Sequence, residues 1–569
     1  MNWKTAILIV LALVAGLGVL FQIATRTPPA PEHQVFINGT VLTMDASNRI
    51  AQALSVRGDR IEAVGTTDDI MSLVDDTTLV FDLKGRTLLP GFIDAHGHFP
   101  GSGMMSVNAD LNSPPIGTHT TIPQVLDALR ALARQREPGE FVVGWGYDDT
   151  LLEEQRHPTR AELDSVSSEH PVVAIHVSGH MVVANSAALE LVGITAATPD
   201  PPGGVIGRQA GSAEPNGLLE ENARMDLLLK AQDMPLLDVF RMVKAAAQDY
   251  SARGVTTAQS GGVDQQLASG LALFSKLGMV HQRLVIFPAE IAFYDALLSG
   301  DFDAGKYTTD KLLVGPVKLM ADGSIQGYTG YLSRPYHTPY KGDAEYAGYP
   351  TISRDALFEK VAALHTAGYQ MAIHGNGDQS IEDILDAFEA AQRQRPVADP
   401  RLIIIHAQMA REDQIQRMQA LGVTPSFFSA HTWYWGDRHR DIFMGPQRAA
   451  TISPAAWALQ YGVRFTSHLD TPVVPMEPLQ AVWSQVHRIT YGGDVLGPQQ
   501  RIDVMQALRS VTIDAAWQIF QEDNRGSLEP GKYADLAVLS GNPLEDPINM
   551  RALKVDRTIV GGATIYQRR

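Results

Sequence analysis

The sequence predicts an α/β fold: parallel strands alternating with helices in a (β/α)8 TIM barrel, with a small β unit drawn from both chain ends. Three observations carry this. Apolar, strand-like runs recur between residues 92 and 467. Segments of helical spacing, bounded by caps and glycine stops, separate several of them. Imidazole, lysine and carboxylate side chains stand at the ends of the runs, where a barrel gathers its site.

The N-terminal stretch Ala6 to Ala24 is almost uninterruptedly apolar. Nineteen residues of helix span roughly 28 Å, enough to cross a bilayer core. Gln22-Ile23-Ala24-Thr25-Arg26 makes a poor cleavage site, so an uncleaved membrane anchor is expected, with secretion after signal cleavage as the alternative. Lys4 and Arg26 flank both ends, and export of the catalytic part to the bacterial periplasmic side is the expected outcome. Thr27-Pro28-Pro29-Ala30-Pro31 reads as a stiff linker, which makes 1–30 a unit of its own.

Residues 31–88 read as short strands. Asn38-Gly39, between Val35-Phe36-Ile37 and Thr40-Val41-Leu42, is a hairpin signal. Residues 527–569 carry matching material: Tyr533 to Leu539, Arg557 to Val560, and Ala563 to Tyr566 after the turn Gly561-Gly562. One sheet built from both ends would solve the burial problem of each.

The barrel is assigned to 89–526. After the first strand come Val255 to Ala258, Leu284 to Phe287, Leu312 to Leu319, Tyr369 to His374, Leu402 to His406, Val423 to Phe428 and Val463 to Ser467. Pro425 should interrupt the ladder of the seventh. Ser353 caps a helix with Leu357, Val361 and Leu364 inward and Gly368 as its stop. Helices also follow Ser380 and span Glu412 to Leu421. The stretch from about 104 to 250 is too long for a loop and reads as an inserted subdomain over the barrel mouth, with helices near Ile122 to Gln135 and Leu236 to Arg253.

The chain has 569 residues, no cysteine and a net charge of −17. The charge argues against nucleic-acid binding. The absent cysteines exclude thiolate ligands and a thiol nucleophile. His96 and His98 close the first strand on the same face, half of a metal site. Lys318, His374, His406 and Asp470 end later strands. Each has a plain alternative: a turn cap for His374, a core histidine for His406, a turn opener for Asp470. Lys318 could snorkel or pair with Asp322. An ammonium beside a dication is unfavourable by about 4 kcal/mol per unit charge pair at 4 Å. A lysine in such a site must therefore be displaced, neutral or chemically altered, as by carbamylation.

These motifs resemble the amidohydrolase superfamily, and within it the family 3 branch of metal-dependent hydrolases. The resemblance rests on Pro90-Gly91-Phe92-Ile93-Asp94-Ala95-His96-Gly97-His98, Val317-Lys318-Leu319-Met320-Ala321-Asp322-Gly323-Ser324 and Ile373-His374-Gly375-Asn376-Gly377-Asp378. It also rests on His406-Ala407-Gln408, His468-Leu469-Asp470-Thr471-Pro472 and Gly526-Ser527-Leu528-Glu529-Pro530-Gly531-Lys532-Tyr533-Ala534-Asp535-Leu536. Gly144-Trp145-Gly146-Tyr147 and Ser178-Gly179-His180 match the branch's insertion. The resemblance implies a distorted barrel with a composite β-sandwich from both termini. It implies a first metal on His96, His98 and Asp470, a second on His374 and His406, and carbamylated Lys318 bridging them. Asp470 is then the acid/base residue. Many relatives have Ser-Asp where this chain has Leu469-Asp470, with His468 two residues earlier as an outer partner of the site.

The expected reaction is hydrolysis of a non-peptide C–N bond, amide or formamide-like, in a small-molecule substrate. A bound metal lowers the pKa of water to about 7 and supplies hydroxide. One or two ions fit; zinc is the default, with manganese, iron or nickel also compatible. His180 is placed to contact the developing oxyanion, or is a turn histidine. Asp322 orients the lysine or substrate, or merely precedes Gly323. Trp145, Tyr147, Trp433, Tyr434 and Trp435 line an apolar pocket or belong to the core. Competing readings are an isomerase or lyase on the same scaffold and a membrane-tethered binding protein without turnover. A homo-oligomer is an alternative to a monomer.

Overall fold

The computed structural model describes residues 28–231 and 234–569. The apolar stretch Ala6 to Ala24 lies outside them, and no helix among the described residues is long and apolar enough to cross a membrane.

The chain ends form two facing sheets, of which the second combines them. One has the order Arg60–Gly65, Ala53–Arg57, His33–Ile37, Leu79–Asp82. The other runs Ala563–Gln567, Val555–Val560, Leu536–Leu539, Thr87–Pro90, Thr40–Leu42, Ile50–Ala51. Its central pairing is antiparallel and long-range, with Leu88 opposite Val538. Phe36, Val41, Leu54, Leu88, Leu536 and Ile559 fill the space between the two sheets. The Asn38-Gly39 hairpin is not formed. His33–Ile37 and Thr40–Leu42 belong to different sheets, so the turn carries the chain across the apolar layer. Leu83 packs over Gly39 there, and a Cβ at that glycine would come within 2.3 Å of its side chain. Burial of both strands outweighs the local turn preference. Gly561-Gly562 does turn a hairpin, with Val560 opposite Ala563 and φ of 53° and 74°.

The remaining parallel strands form two sheets. Phe92–Ile93, Val255–Val263, Arg283–Pro288 and Leu312–Val314 make one. Val317–Met320, Met371–Gly375, Leu402–His406, Val423–Phe427 and Thr466–Ser467 make the other. The expected strand Leu312 to Leu319 is thus split at Gly315-Pro316, because Pro316 has no amide to donate to a ladder. A single parallel bridge, Ala289 to Lys318, joins the halves at this break. At the other seam the Asp470 amide reaches the His96 carbonyl at 3.3 Å and the His98 amide the Thr471 carbonyl at 2.8 Å. The result is a mixed α/β domain of TIM-barrel type, without a strand ladder at that second seam among the described residues.

Pro425 sits within its strand, opposite Ile404. The Phe427 carbonyl accepts from the His468 amide, so residue 425, two positions earlier, faces the same neighbour. That neighbour begins only at Thr466, and no ladder bond is lost. The helices follow their caps. Ser353 accepts from the Ala356 amide, and Arg354–Ala367 ends at Gly368 with φ of 90°. Glu412–Leu421 ends at Gly422 with φ of 65°. The helix expected after Ser380 begins slightly earlier, as Asp378–Gln394.

Residues 109–221 supply a separate six-stranded sheet, ordered Gly204–Arg208, Pro215–Glu221, Met181–Ala184, Val172–His176, Val142–Tyr147, Ala109–Asp110. Asp148 fastens it to the loop after Val423–Phe427, accepting from Arg438 at 2.6 Å and from the Trp435 indole at 3.2 Å.

Asp535, in the last of the sequence motifs, ties the terminal sheets to the parallel ones. It accepts from Arg283 Nε at 2.8 Å and Nη2 at 3.2 Å, and both side chains are buried. Removing one partner of such a pair costs about 3–5 kcal/mol. Asp535→Ala is therefore expected to lower unfolding stability by that amount in guanidinium titration, and a loss below 1 kcal/mol (about one surface pair) would show that the tie is dispensable.

Candidate metal centre

The strand ends deliver the expected residues to one place. His96 follows Phe92–Ile93, Lys318 lies in Val317–Met320, His374 in Met371–Gly375, and His406 ends Leu402–His406. Asp470 lies just beyond Thr466–Ser467 with φ of 53°, and His406 has φ of 69°. Left-handed backbone at two non-glycine positions is uncommon, and such strain concentrates at functional sites.

Asp470 Oδ1 lies 3.2 Å from His98 Nε2 and 3.4 Å from His96 Nε2, and Oδ2 lies 3.9 Å from His406 Nε2. Lys318 Nζ is 3.3 Å from His96 Nε2. The His374 and His406 rings are 4.5 Å apart. Lys318 does not pair with Asp322. That carboxylate instead accepts from the amides of Tyr331, Asn376 and Gly377 at 2.8–3.0 Å and faces His374 Nδ1 at 3.2 Å. His468 Nε2 meets His406 Nδ1 at 3.1 Å, and its Nδ1 meets Ser426 Oγ at 2.9 Å. All of these side chains are buried except His98, which is 43% exposed and so marks the open side.

Burial pulls the His96, His374 and His406 rings well below the ordinary histidine value, and His468 down to about 3. Burial also brings the Lys318 amine down to about 7, with Asp470 opposing. Asp470 goes the other way. Burial works against its charge, but His98, His406 and His96 outweigh it and hold the carboxyl well below the usual range. Asp322 is pushed up to about 7 by burial, against the three amides that favour its charge.

This set fits a divalent cation. His98 Nδ1 lies 2.9 Å from the Gly261 carbonyl, which can only accept, so in the neutral ring Nδ1 carries the hydrogen. Its Nε2 lone pair then faces Asp470 Oδ1, which is buried without a hydrogen-bond partner. Two acceptors 3.2 Å apart require a shared proton or a cation. His96, His98 and Asp470 present ligand atoms within 4.8 Å of one another.

His180 enters from the separate sheet. Its ring is 5.0 Å from that of His374, and its Nδ1 is 2.8 Å from Glu221 Oε2. Trp145 lies against the turn before it, 3.2 Å from where a Gly179 Cβ would stand. Tyr147 is fully buried, with its hydroxyl 3.1 Å from His157 Nδ1, and is packed in the core of that sheet. Trp433 stands edge-on to Trp483 and Tyr491, Tyr434 packs against Trp435, and Trp435 is buried beside His431. Sequence reasoning missed Glu221 and His431. His431 is buried, with its ring 6.4 Å from that of His406 and its Nδ1 unpartnered. Its place beside Trp433 was the only signal for it; Glu221 had none.

A model of the amidohydrolase family matches residues 79–566, most of the chain. The chain belongs to the amidohydrolase family. It is 32% identical over 545 residues to an N-substituted formamide deformylase of Arthrobacter pascens, covering 94% of this chain and 98% of the relative. It is 28% identical to a putative amidohydrolase of Bacillus subtilis, covering 90% and 97%. A metal-dependent hydrolase of Pyrococcus horikoshii shares the fold, with a TM-score of 0.71 at 24% identity over 90% of this chain and 98% of that one. The resemblance read from the motifs to the amidohydrolase family is borne out.

Divalent metal should stabilise the metal-free protein, by about 4 kcal/mol at a thousandfold excess over Kd. Asp470→Asn should remove most of that gain in thermal unfolding. Burial keeps the His96, His374 and His406 rings neutral as pH falls through 6.5, so protonation of these three should not remove the gain at pH 6. A loss with a midpoint near the ordinary histidine value that remains in His98→Gln would contradict this.

Proposed function

We propose that this amidohydrolase cleaves a non-peptide C–N bond of the amide or formamide kind in a small molecule. The observation that carries the reading is the convergence of His96, His98, His374, His406, Lys318 and Asp470 at the ends of parallel strands. The formamide class is supported by the relative from Arthrobacter pascens. In this reading the two parallel sheets constitute a distorted (β/α)8 barrel over 89–526, with about 104–250 inserted and 31–88 with 527–569 as a composite sandwich. Residues 1–30 tether it to a membrane, with the catalytic part exported; support for that is the apolar run alone.

His96, His98 and Asp470 would hold one ion, and His374 with His406 a second, zinc by default. Such an ion supplies a nucleophile at neutral pH by lowering the pKa of water, and polarises the scissile carbonyl. The buried Lys318 amine faces His96 at 3.3 Å. Carbamylation by CO2 would convert it from a cation into an anionic oxygen ligand for both ions. Asp470 takes the proton of the attacking water and delivers it to the leaving nitrogen. His180 faces the developing oxyanion. Asp322 and His468 hold the His374 and His406 rings in register from behind.

Protein lacking residues 1–30, purified with bicarbonate and no chelator, should contain about two equivalents of metal, with the content falling in Lys318→Ala. It should hydrolyse simple N-substituted formamides, and Asp470→Asn should slow this by at least about a hundredfold. Failure to bind metal after reconstitution would overturn the catalytic reading. One equivalent insensitive to Lys318→Ala would remove the bridge.

A further inference from the structure

Glu221 is the last residue of the strand Pro215–Glu221, and its side chain is 2% exposed. Its backbone lies at φ 48°, ψ −122°, a conformation that side-chain-bearing residues rarely adopt. Strained positions of this kind persist only where the surroundings over-determine them.

The surroundings here point to His180. Met181 pairs with Glu220 across two antiparallel strands, which sets His180 opposite Glu221. The Glu221 amide donates to the His180 carbonyl at 2.9 Å. Glu221 Oε2 lies 2.8 Å from His180 Nδ1. The same carboxylate presses on the loop that carries Asp322. A Cβ at Gly323 would come within 2.0 Å of Oε1, so only glycine lets the glutamate reach this depth. Asp322, next in the chain, faces His374, whose ring is 5.0 Å from that of His180. Glu221 is therefore clamped between the separate sheet and the metal centre, with the His180 imidazole on Oε2 and with Thr329 and Arg224 also favouring its charge.

We infer that Glu221 is a positioning residue for His180: it holds the ring in the tautomer with hydrogen on Nδ1 and aims Nε2 at the substrate side of the metal centre. A carboxylate can only accept, so the 2.8 Å contact places the hydrogen on Nδ1. Imidazoles that act at metal sites are oriented in this way, by the hydrogen bond made through the nitrogen that does not act. This inference rests on the proposed hydrolysis for the task of His180, but the tautomer itself does not depend on turnover.

Three variants of the full chain separate the possibilities. Glu221→Met keeps the length and cannot accept a hydrogen bond. Glu221→Gln keeps an acceptor. Glu221→Gly removes the acceptor and relieves the backbone conformation, and thermal unfolding of all three variants separates loss of the acceptor from loss of stability. Nitrogen-15 spectra of histidine-labelled protein, with the His180 signal assigned through His180→Ala, should show Nδ1 protonated in the unchanged chain and in Glu221→Gln. The Met and Gly variants should show a tautomer mixture. With an N-substituted formamide as probe, kcat of those two should fall about 10–100-fold with KM and metal content little changed. Glu221→Met should cost nothing further in a His180→Ala background. An unchanged tautomer in the Met and Gly variants, or an additive loss in the double variant, would overturn the assignment. If the unchanged chain turns over no formamide, the activity reading fails, and the tautomer comparison alone decides the role of Glu221.

Discussion

Taking a carboxylate out of water carries a penalty of several kcal/mol unless opposite charge or hydrogen bonds replace the lost hydration. Asp470 is buried with three imidazoles within 3.9 Å and no hydrogen bond on Oδ1. Two of these imidazoles are fixed from behind: His98 by the Gly261 carbonyl and His406 by His468, which rests on Ser426. His374, on the far side of His406, is fixed by Asp322. The arrangement is a ring of acceptors whose mutual repulsion a cation would remove. Its rigidity comes from strands, and a cation would complete its charge balance.

Much of this was legible because barrel chemistry occupies a predictable place in the chain. His96, His98, His374, His406 and Asp470 each end or follow an apolar run, Lys318 lies within one, and periodicity locates such runs well. Helix limits were legible where a cap or glycine marked them, as at Ser353, Gly368 and Gly422. The failures have a common cause. Asn38-Gly39 favours a hairpin locally, yet the two flanking strands bury their apolar faces in different sheets. Pro425 argues against a ladder locally, yet the strand it would fail to meet has not begun. In both cases the deciding partner is remote in sequence. The pairing of Lys318 with Asp322 was suggested by proximity along the chain, but three backbone amides already engage that carboxylate.

Glu221 was illegible for the same reason, since its partner lies on another strand and nothing about an acidic residue after Leu218-Leu219-Glu220 marks it. The sheet built from residues 109–221 is more than a cover. It sends His180 to the metal centre, and Asp148 binds it to the loop that carries His431, Trp435 and Arg438. The candidate site is thus bordered by the separate sheet through His180, while the candidate ligands come from the parallel strands alone.

The pairing of Leu88 with Val538 sets a condition on how the chain acquires its structure. The partners are about 450 residues apart, so closing the terminal sheet is among the most non-local steps available to this chain, and such contacts form late. During synthesis Thr40–Leu42 and Thr87–Pro90 can pair at once, but their sheet is completed only when Leu536–Leu539 has appeared. The strand Thr87–Pro90 leads directly into the segment carrying His96 and His98. The strand that leads into the candidate metal centre therefore gains its second neighbour only when the chain is nearly complete.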